Sequence, residues 1–307
     1  MRSGRCCWRS WGSYGGLVPE LPEVETVRRG LAPALEGRIL RRVEIGDARL
    51  TRPLDPVEVA RELEGERVAV VDRRGKYLIV RFESGRVLLV HLRMTGSFRI
   101  GGKADPHDRA VLALDDGGEV SYRDVRRFGT WLLLEPEEAD AYVDARVGRE
   151  PLEDAYRAKH LAERLAGRRA PVKAALLDQR TVAGVGNIYA DEALWRAGIH
   201  PLRPAESLGP DEVRALHRAV RDALRVGIRR QGSTLRDYRQ PDGAEGGAQH
   251  EFKVYGRGGE PCERCGTPID KIRVAGRGTW YCPSCQSLYA ASSSSSRPSW
   301  SRRQSSV

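Results

Sequence analysis

Between about residues 35 and 135 the chain alternates short apolar runs with turn residues. The segments 68–72, 77–82, 86–92, 110–114 and 130–134 are rich in Val, Ile, Leu and aromatic residues and read as strands. Glu83-Ser84-Gly85-Arg86 and Asp115-Asp116-Gly117-Gly118 read as hairpin turns between them. Strands this closely spaced predict an antiparallel sandwich or barrel. A helix over 22–34 precedes them, and an acidic helix over about 136–145 follows. Beyond residue 150 the apolar period changes to that of helices, at 155–166, 172–178, 188–197 and 210–231. Asp211 and Glu212 load the first turn of the last helix with the charge its dipole favours. Residues 232–250 are glycine-rich and polar and read as a mobile loop. No internal repeat is visible.

The predicted organisation is therefore α+β and multidomain. An N-terminal extension (1–18) precedes an antiparallel β-sandwich domain with an N-terminal helix (19–150). A helical domain (151–250), a small cysteine-bearing module (251–290) and a serine- and arginine-rich tail (291–307) complete it. The tail holds nine serines and cannot bury an apolar core, so it is expected to be disordered.

Composition narrows the function classes. At 40% hydrophobic and 31% charged residues the chain fits a soluble protein, and no run approaches a membrane span. The net charge of +10 invites a polyanionic partner. Residues 1–18 and 291–307 each carry +3, which leaves +4 for the 272 residues between them. Net charge alone is thus a modest argument for nucleic acid. Local clusters have to carry it, such as Arg73-Arg74-Gly75-Lys76 and Arg123-Asp124-Val125-Arg126-Arg127.

The cysteines say more. Of six, Cys262, Cys265, Cys282 and Cys285 form two Cys-x-x-Cys pairs with sixteen residues between them. Two such pairs complete a closed, tetrahedral, structural Zn²⁺ site. Cys6 and Cys7 lie in the extension, so no cysteine remains for structural disulfides, which points to a reducing, cytoplasmic setting. The intervening stretch, Asp270 to Tyr281, reads as a β-hairpin with a basic turn that aims Arg273 and Arg277 outwards.

Two further stretches stand out. Val18-Pro-Glu-Leu-Pro-Glu-Val-Glu-Thr-Val27 places a proline and acids where a helix begins. Gln179-Arg-Thr-Val-Ala-Gly-Val-Gly-Asn-Ile-Tyr-Ala-Asp-Glu-Ala193 puts glycines and Asn187 at the cap of another helix, the geometry of a phosphate cradle. Taken alone, the first is a helix start and the second a helical hairpin. Together, in this order and with the four cysteines, they resemble the formamidopyrimidine-DNA glycosylase and endonuclease VIII family of DNA-repair enzymes, over 19–285.

The resemblance implies a base-excision glycosylase with lyase activity acting on duplex DNA that contains oxidised bases or abasic sites. It implies a monomer, one structural zinc ion and no other cofactor. Pro19 matches the nucleophilic N-terminal proline, Glu20 the adjacent acid, Lys76 the catalytic lysine and Arg277 the zinc-hairpin arginine that grips phosphate. Met94, His107, Arg126, Arg127, Phe128 and Asn187 are the DNA-facing candidates. Met94 matches the residue that fills the gap left by the extruded base, Arg126 the one that faces the orphaned cytosine and Phe128 the intercalating wedge. Asn187 matches a phosphate ligand. Val125 stands where the family often has proline. The segment 231–261 resembles the branch acting on oxidised purines, although the 243–250 loop lacks an aromatic often found there. The pyrimidine-preferring branch is the alternative.

Amine chemistry at Pro19 requires a free N-terminus, because an amide lone pair is delocalised. Translation is therefore expected to start at Val18, read as Met at a bacterial start codon and then removed. Residues 1–18 have no acid and no apolar run of secretory type. If they are retained, the chain is expected to be a catalytically blocked DNA-binding protein.

Overall fold

The computed structural model describes residues 18–236 and 238–288. The expectations for the extension up to residue 17 and for the serine-rich tail lie outside the described residues. Helix α1 (Leu21–Leu35) opens the fold, with Pro22 in its first turn. Two four-stranded antiparallel sheets follow. One has the order β1 (Leu40–Ile45), β6 (Asp108–Leu114), β7 (Glu119–Asp124), β5 (Gly96–Ile100). The other has the order β2 (Val68–Arg74), β3 (Tyr77–Phe82), β4 (Val87–His91), β8 (Thr130–Leu134). Their facing apolar side chains, among them Val43, Val71, Leu78, Val90, Phe98, Tyr122 and Trp131, form one buried core with Val24, Val27, Leu31 and Leu35 of α1.

The predicted strands over 68–72, 77–82, 86–92, 110–114 and 130–134 correspond to β2, β3, β4, β6 and β8. Strands β1, β5 and β7 and helix α2 (Pro56–Leu63) were not legible. Leu40-Arg-Arg-Val-Glu-Ile is an edge strand with three exposed residues. β7 buries Ser121 and Asp124 alongside Val120 and Tyr122, so its polar residues disguise it.

After α3 (Pro136–Asp144), the helical part comprises α4 (Ala158–Leu165), α5 (Val172–Leu177), α6 (Asn187–Ala197) and α7 (Pro210–Arg229). The helix expected over 155–166 is shorter, because 151–157 run as turns. A second core gathers Leu161, Leu176, Val185, Ile188, Leu194, Leu216 and Leu224. Leu21 belongs to this second core, whereas Val24, one turn on, belongs to the first. Helix α1 therefore stitches the two bodies together. The stretch 232–250, expected as a mobile loop, is tied back on itself by a bridge between Ser233 and Gly247 and by Gln249, whose side chain accepts the Thr234 N–H at 3.0 Å. The last element is the ribbon of β9 (Asp270–Val274) and β10 (Arg277–Tyr281).

Candidate active site

The start of α1 is bolted to the helical body by two glutamates. The Glu20 carboxylate accepts the backbone N–H groups of Gly186 (2.8 Å), Ile188 (2.9 Å) and Tyr189 (3.4 Å). These are the free donors at the N-terminus of α6, where a negative charge is favoured. The Leu21 N–H reaches the Gly184 carbonyl at 3.0 Å. Glu20 is buried, and burial raises its pKa above the usual carboxylate value despite the Lys76 charge and these N–H groups. The Glu23 carboxylate accepts from the Glu20 N–H (3.0 Å), the Ser233 N–H (2.8 Å), the Ser233 hydroxyl (3.1 Å) and the Tyr189 hydroxyl (3.0 Å). Burial, with the neighbouring Glu20 charge, raises its pKa to about 7. Pro19, just before Glu20 in the chain, is buried as well.

Lys76 follows the tight β2–β3 turn, where Gly75 has φ +58°. A Cβ on Gly75 would lie 3.0 Å from Val147 and 3.4 Å from the Gly184 nitrogen, so the turn packs directly onto the segment that holds Glu20. Arg73 forks onto Glu150 at 3.0 and 3.1 Å and reaches Glu25 at 3.2 Å. Glu150 in turn accepts the Gly75 N–H. Burial lowers the Lys76 pKa, and the Glu20, Arg277 and Glu23 charges also act on it. Lys76, Glu20 and Arg277 are thus brought into one electrostatic neighbourhood from three parts of the chain.

A pocket opens beside Pro19, lined also by Glu23, Met94, Arg126, Ile188, Ser233 and Tyr238. Met94 is half-buried and sits in the β4–β5 turn. Arg126 lies in the β7–β8 loop with its guanidinium 5.1 Å from the centre of the Phe128 ring. Phe128 is 43% exposed, a large apolar surface turned to solvent. Of the candidates, Pro19, Met94 and Arg126 line this pocket, and Glu20, Lys76, Phe128, Asn187 and Arg277 lie outside its lining, as do two more. Arg127 is paired with Asp47, and His107 lies outside the pocket lining, with its N–H on Asp105 and its ring 3.4 Å from Arg109.

Asn187 is the first residue of α6 rather than its cap, which is Gly186. Its side-chain amide donates to the Gly278 carbonyl at 3.0 Å, next to Arg277. The same carbonyl accepts from Lys173 at 3.1 Å. Lys173 is fully buried and pairs with Asp191 at 2.7 Å, and the Trp280 N–H donates to Asp191 at 3.0 Å. Strand β10 is therefore fixed to α6, with Arg277 and Arg273 left exposed. The four sulfurs of Cys262, Cys265, Cys282 and Cys285 lie within 4.8 Å of one another. Zinc with tetrahedral sulfurs at about 2.3 Å places them about 3.8 Å apart. The spacings of 3.5, 3.5 and 3.9 Å across the group fit that ion.

Sequence reading missed Glu23 as more than a dipole acid, and it missed the pairs Arg73–Glu150 and Lys173–Asp191. One signal was readable. Lys173 interrupts the apolar run 172–177, and a lysine at a buried position needs a partner. Ser233 and Tyr189 gave no such signal.

The chain matches the models of the formamidopyrimidine-DNA glycosylase N-terminal domain over 18–131 and H2TH domain over 147–239, and of a zinc finger found in FPG and IleRS over 259–288. It is 50% identical over 273 residues to a formamidopyrimidine-DNA glycosylase of Symbiobacterium thermophilum, covering 88% of this chain and 89% of that one. It is 48% identical to the Chloroflexus aggregans protein of the same name, covering 88% and 99%. Among solved structures, a Lactococcus lactis FPG mutant complexed with a Fapy-dG-containing DNA superposes with a TM-score of 0.83 at 38% identity, covering 88% of this chain and all of that one.

Proposed function

We propose a chemistry for this site from one premise: the chain belongs to the formamidopyrimidine-DNA glycosylase family. It excises oxidised purines, 8-oxoguanine and formamidopyrimidines, from duplex DNA in base-excision repair. The observation that carries the reading is the convergence of Pro19, Glu23, Met94, Arg126 and Ser233 on one pocket.

A base inside the duplex is out of reach, so the damaged nucleotide is extruded at a cost of a few kcal/mol. Met94 and Phe128 fill the space it leaves, and Arg126 pairs with the orphaned cytosine. Lys76, Asn187 and Arg277 hold the phosphates, which fixes register rather than sequence. The Pro19 amine, in a chain that begins there, attacks the sugar C1′ as the glycosidic bond breaks; its electron pair leaves with the base, which takes up the proton that the amine sheds. Glu20 gives its proton to the ring oxygen, the C1′–O4′ bond opens and an iminium links Pro19 to the sugar. Loss of a C2′ proton then expels the 3′ phosphate, and a second elimination expels the 5′ phosphate, which is the lyase activity. The raised pKa of Glu20 supports its role as the acid. The four cysteines would hold a zinc ion, which shapes the hairpin carrying Arg277 and takes no part in these steps.

The test uses protein beginning at Pro19. Borohydride should trap it covalently on 8-oxoguanine duplexes, and Pro19→Gly should abolish trapping while leaving DNA binding. A fully active Pro19→Gly variant would overturn the assignment. Side-by-side cleavage of 8-oxoguanine and thymine-glycol duplexes separates this reading from pyrimidine preference.

A further inference from the structure

Arg127 stands in the probing loop yet does not face the pocket. Its Nε and Nη2 both donate to the Asp47 carboxylate, the second at 2.8 Å, a two-pronged interaction. Asp47 is 3% exposed and also accepts the Arg49 N–H at 3.1 Å, so the anchor on its side is rigid. Arg127 holds a left-handed backbone, φ +59°, where a non-glycine residue needs a compensating interaction. Arg127 is held on Asp47, while its neighbours Arg126 and Phe128 lie against each other, the guanidinium 5.1 Å from the ring centre.

The loop has a second fixed point. The buried Asp124 carboxylate accepts the Thr95 hydroxyl, the Arg126 N–H (3.2 Å) and the Gly129 N–H (2.7 Å). Thr95 follows Met94, so this point ties the two probing segments together. Between the two ends of the loop, Val125 and Phe128 are exposed and give no core packing. The Arg127–Asp47 pair is a side-chain tie from the outer half of the loop to the sandwich.

We propose that Arg127 and Asp47 form a positioning lock that presents Arg126 and Phe128 to the duplex, and that Arg127 is not a phosphate ligand. This rests on the reading of the loop as the duplex probe. Removing a cation that neutralises a phosphate lowers the slope of log affinity against log salt by about one unit. A positioning residue leaves that slope alone and changes what the positioned groups discriminate.

Arg127→Gln should keep the wild-type salt slope on undamaged duplex. Its preference for 8-oxoguanine opposite cytosine over adenine should fall about tenfold, as loosened geometry does. A slope reduced by about one with preference intact would make Arg127 a phosphate ligand and overturn the proposal. Should Arg127→Gln not fold, Asp47→Asn decides. It keeps the oxygen that accepts the Arg49 N–H but removes the negative charge and the Oδ2 acceptor of the Arg127 Nε, and it should show the same loss of preference. Unchanged preference in Asp47→Asn overturns the lock. Wild-type excision opposite cytosine is the control: its absence sinks the substrate reading, whereas its presence with unchanged variants sinks only the lock.

Discussion

Gly186 has no room for a side chain. A Cβ there would sit 2.4 Å from the Glu20 carboxyl carbon, and that carboxyl is pinned by three N–H groups. Gly186→Ala must push Glu20, the proposed general acid, off the start of α6. Overpacking of this kind costs about 1–3 kcal/mol, which a two-core protein survives. The reaction is less tolerant, since misplacement of a reacting group by about 1 Å costs on the order of 10²-fold. We expect a folded Gly186→Ala protein whose single-turnover excision rate falls about a hundredfold with zinc content unchanged. A wild-type rate in that variant would remove Glu20 from the chemistry. The glycine and the acid were both visible in the sequence. Their meeting, across 166 residues, was not. The glycines of 184–186 read as a phosphate cradle, but the anion that occupies the helix start is the protein's own Glu20.

Strand β10 and helix α6 are joined by a buried charge pair as well as by the apolar cluster that Trp195 and Trp280 share. Lys173 and Asp191 are fully buried, and both touch the strand that carries Arg277. Removing one partner of a buried pair strands the other and costs about 3–5 kcal/mol. Lys173→Met and Asp191→Leu should each destabilise by about that amount, and the double variant by much less than their sum. Urea titrations of the three variants measure the coupling, and strict additivity would show that the pair is not an interacting unit. The helices other than α2, and strands β2, β3, β4, β6 and β8, were legible from period alone because their apolar faces are long. β7 was not, since its buried residues include Ser121, whose hydroxyl accepts from Arg99, and Asp124, which holds the following loop. A hydrophobic period finds an element but does not name the element's partner. For that reason the α5–α6–β10 junction was invisible, even with Lys173 standing out in an apolar run.

At the scale of the whole molecule, the sandwich, the helical body and the cysteine module have separate apolar clusters, and the field of the charge is weak once the termini are set aside. Duplex binding must then depend on where a few cations stand. Arg277 stands on the smallest cluster, whose buried members include Cys262 and Cys282 themselves. That module hangs on α6 through side chains. Arg264 donates to the carbonyls of Trp195 (2.8 Å) and Arg196 (3.0 Å), and Gln286 donates to Ile199 (2.9 Å) while accepting the Cys282 N–H (2.8 Å). Without the ion, four thiols crowd a site with too little apolar surface to stay folded. Zinc removal should therefore melt the ribbon and leave the two larger cores standing. A chelator-treated protein should keep its main thermal transition within a few degrees, about 1 kcal/mol for a domain of this size. It should lose duplex affinity and the borohydride-trapped adduct together, and regain both on adding zinc. Cys265→Ser should reproduce the loss without a chelator. Retained affinity in protein shown to be zinc-free would mean that Arg277 is held by Lys173, Asn187 and Asp191 alone, with the ion dispensable to the grip on DNA.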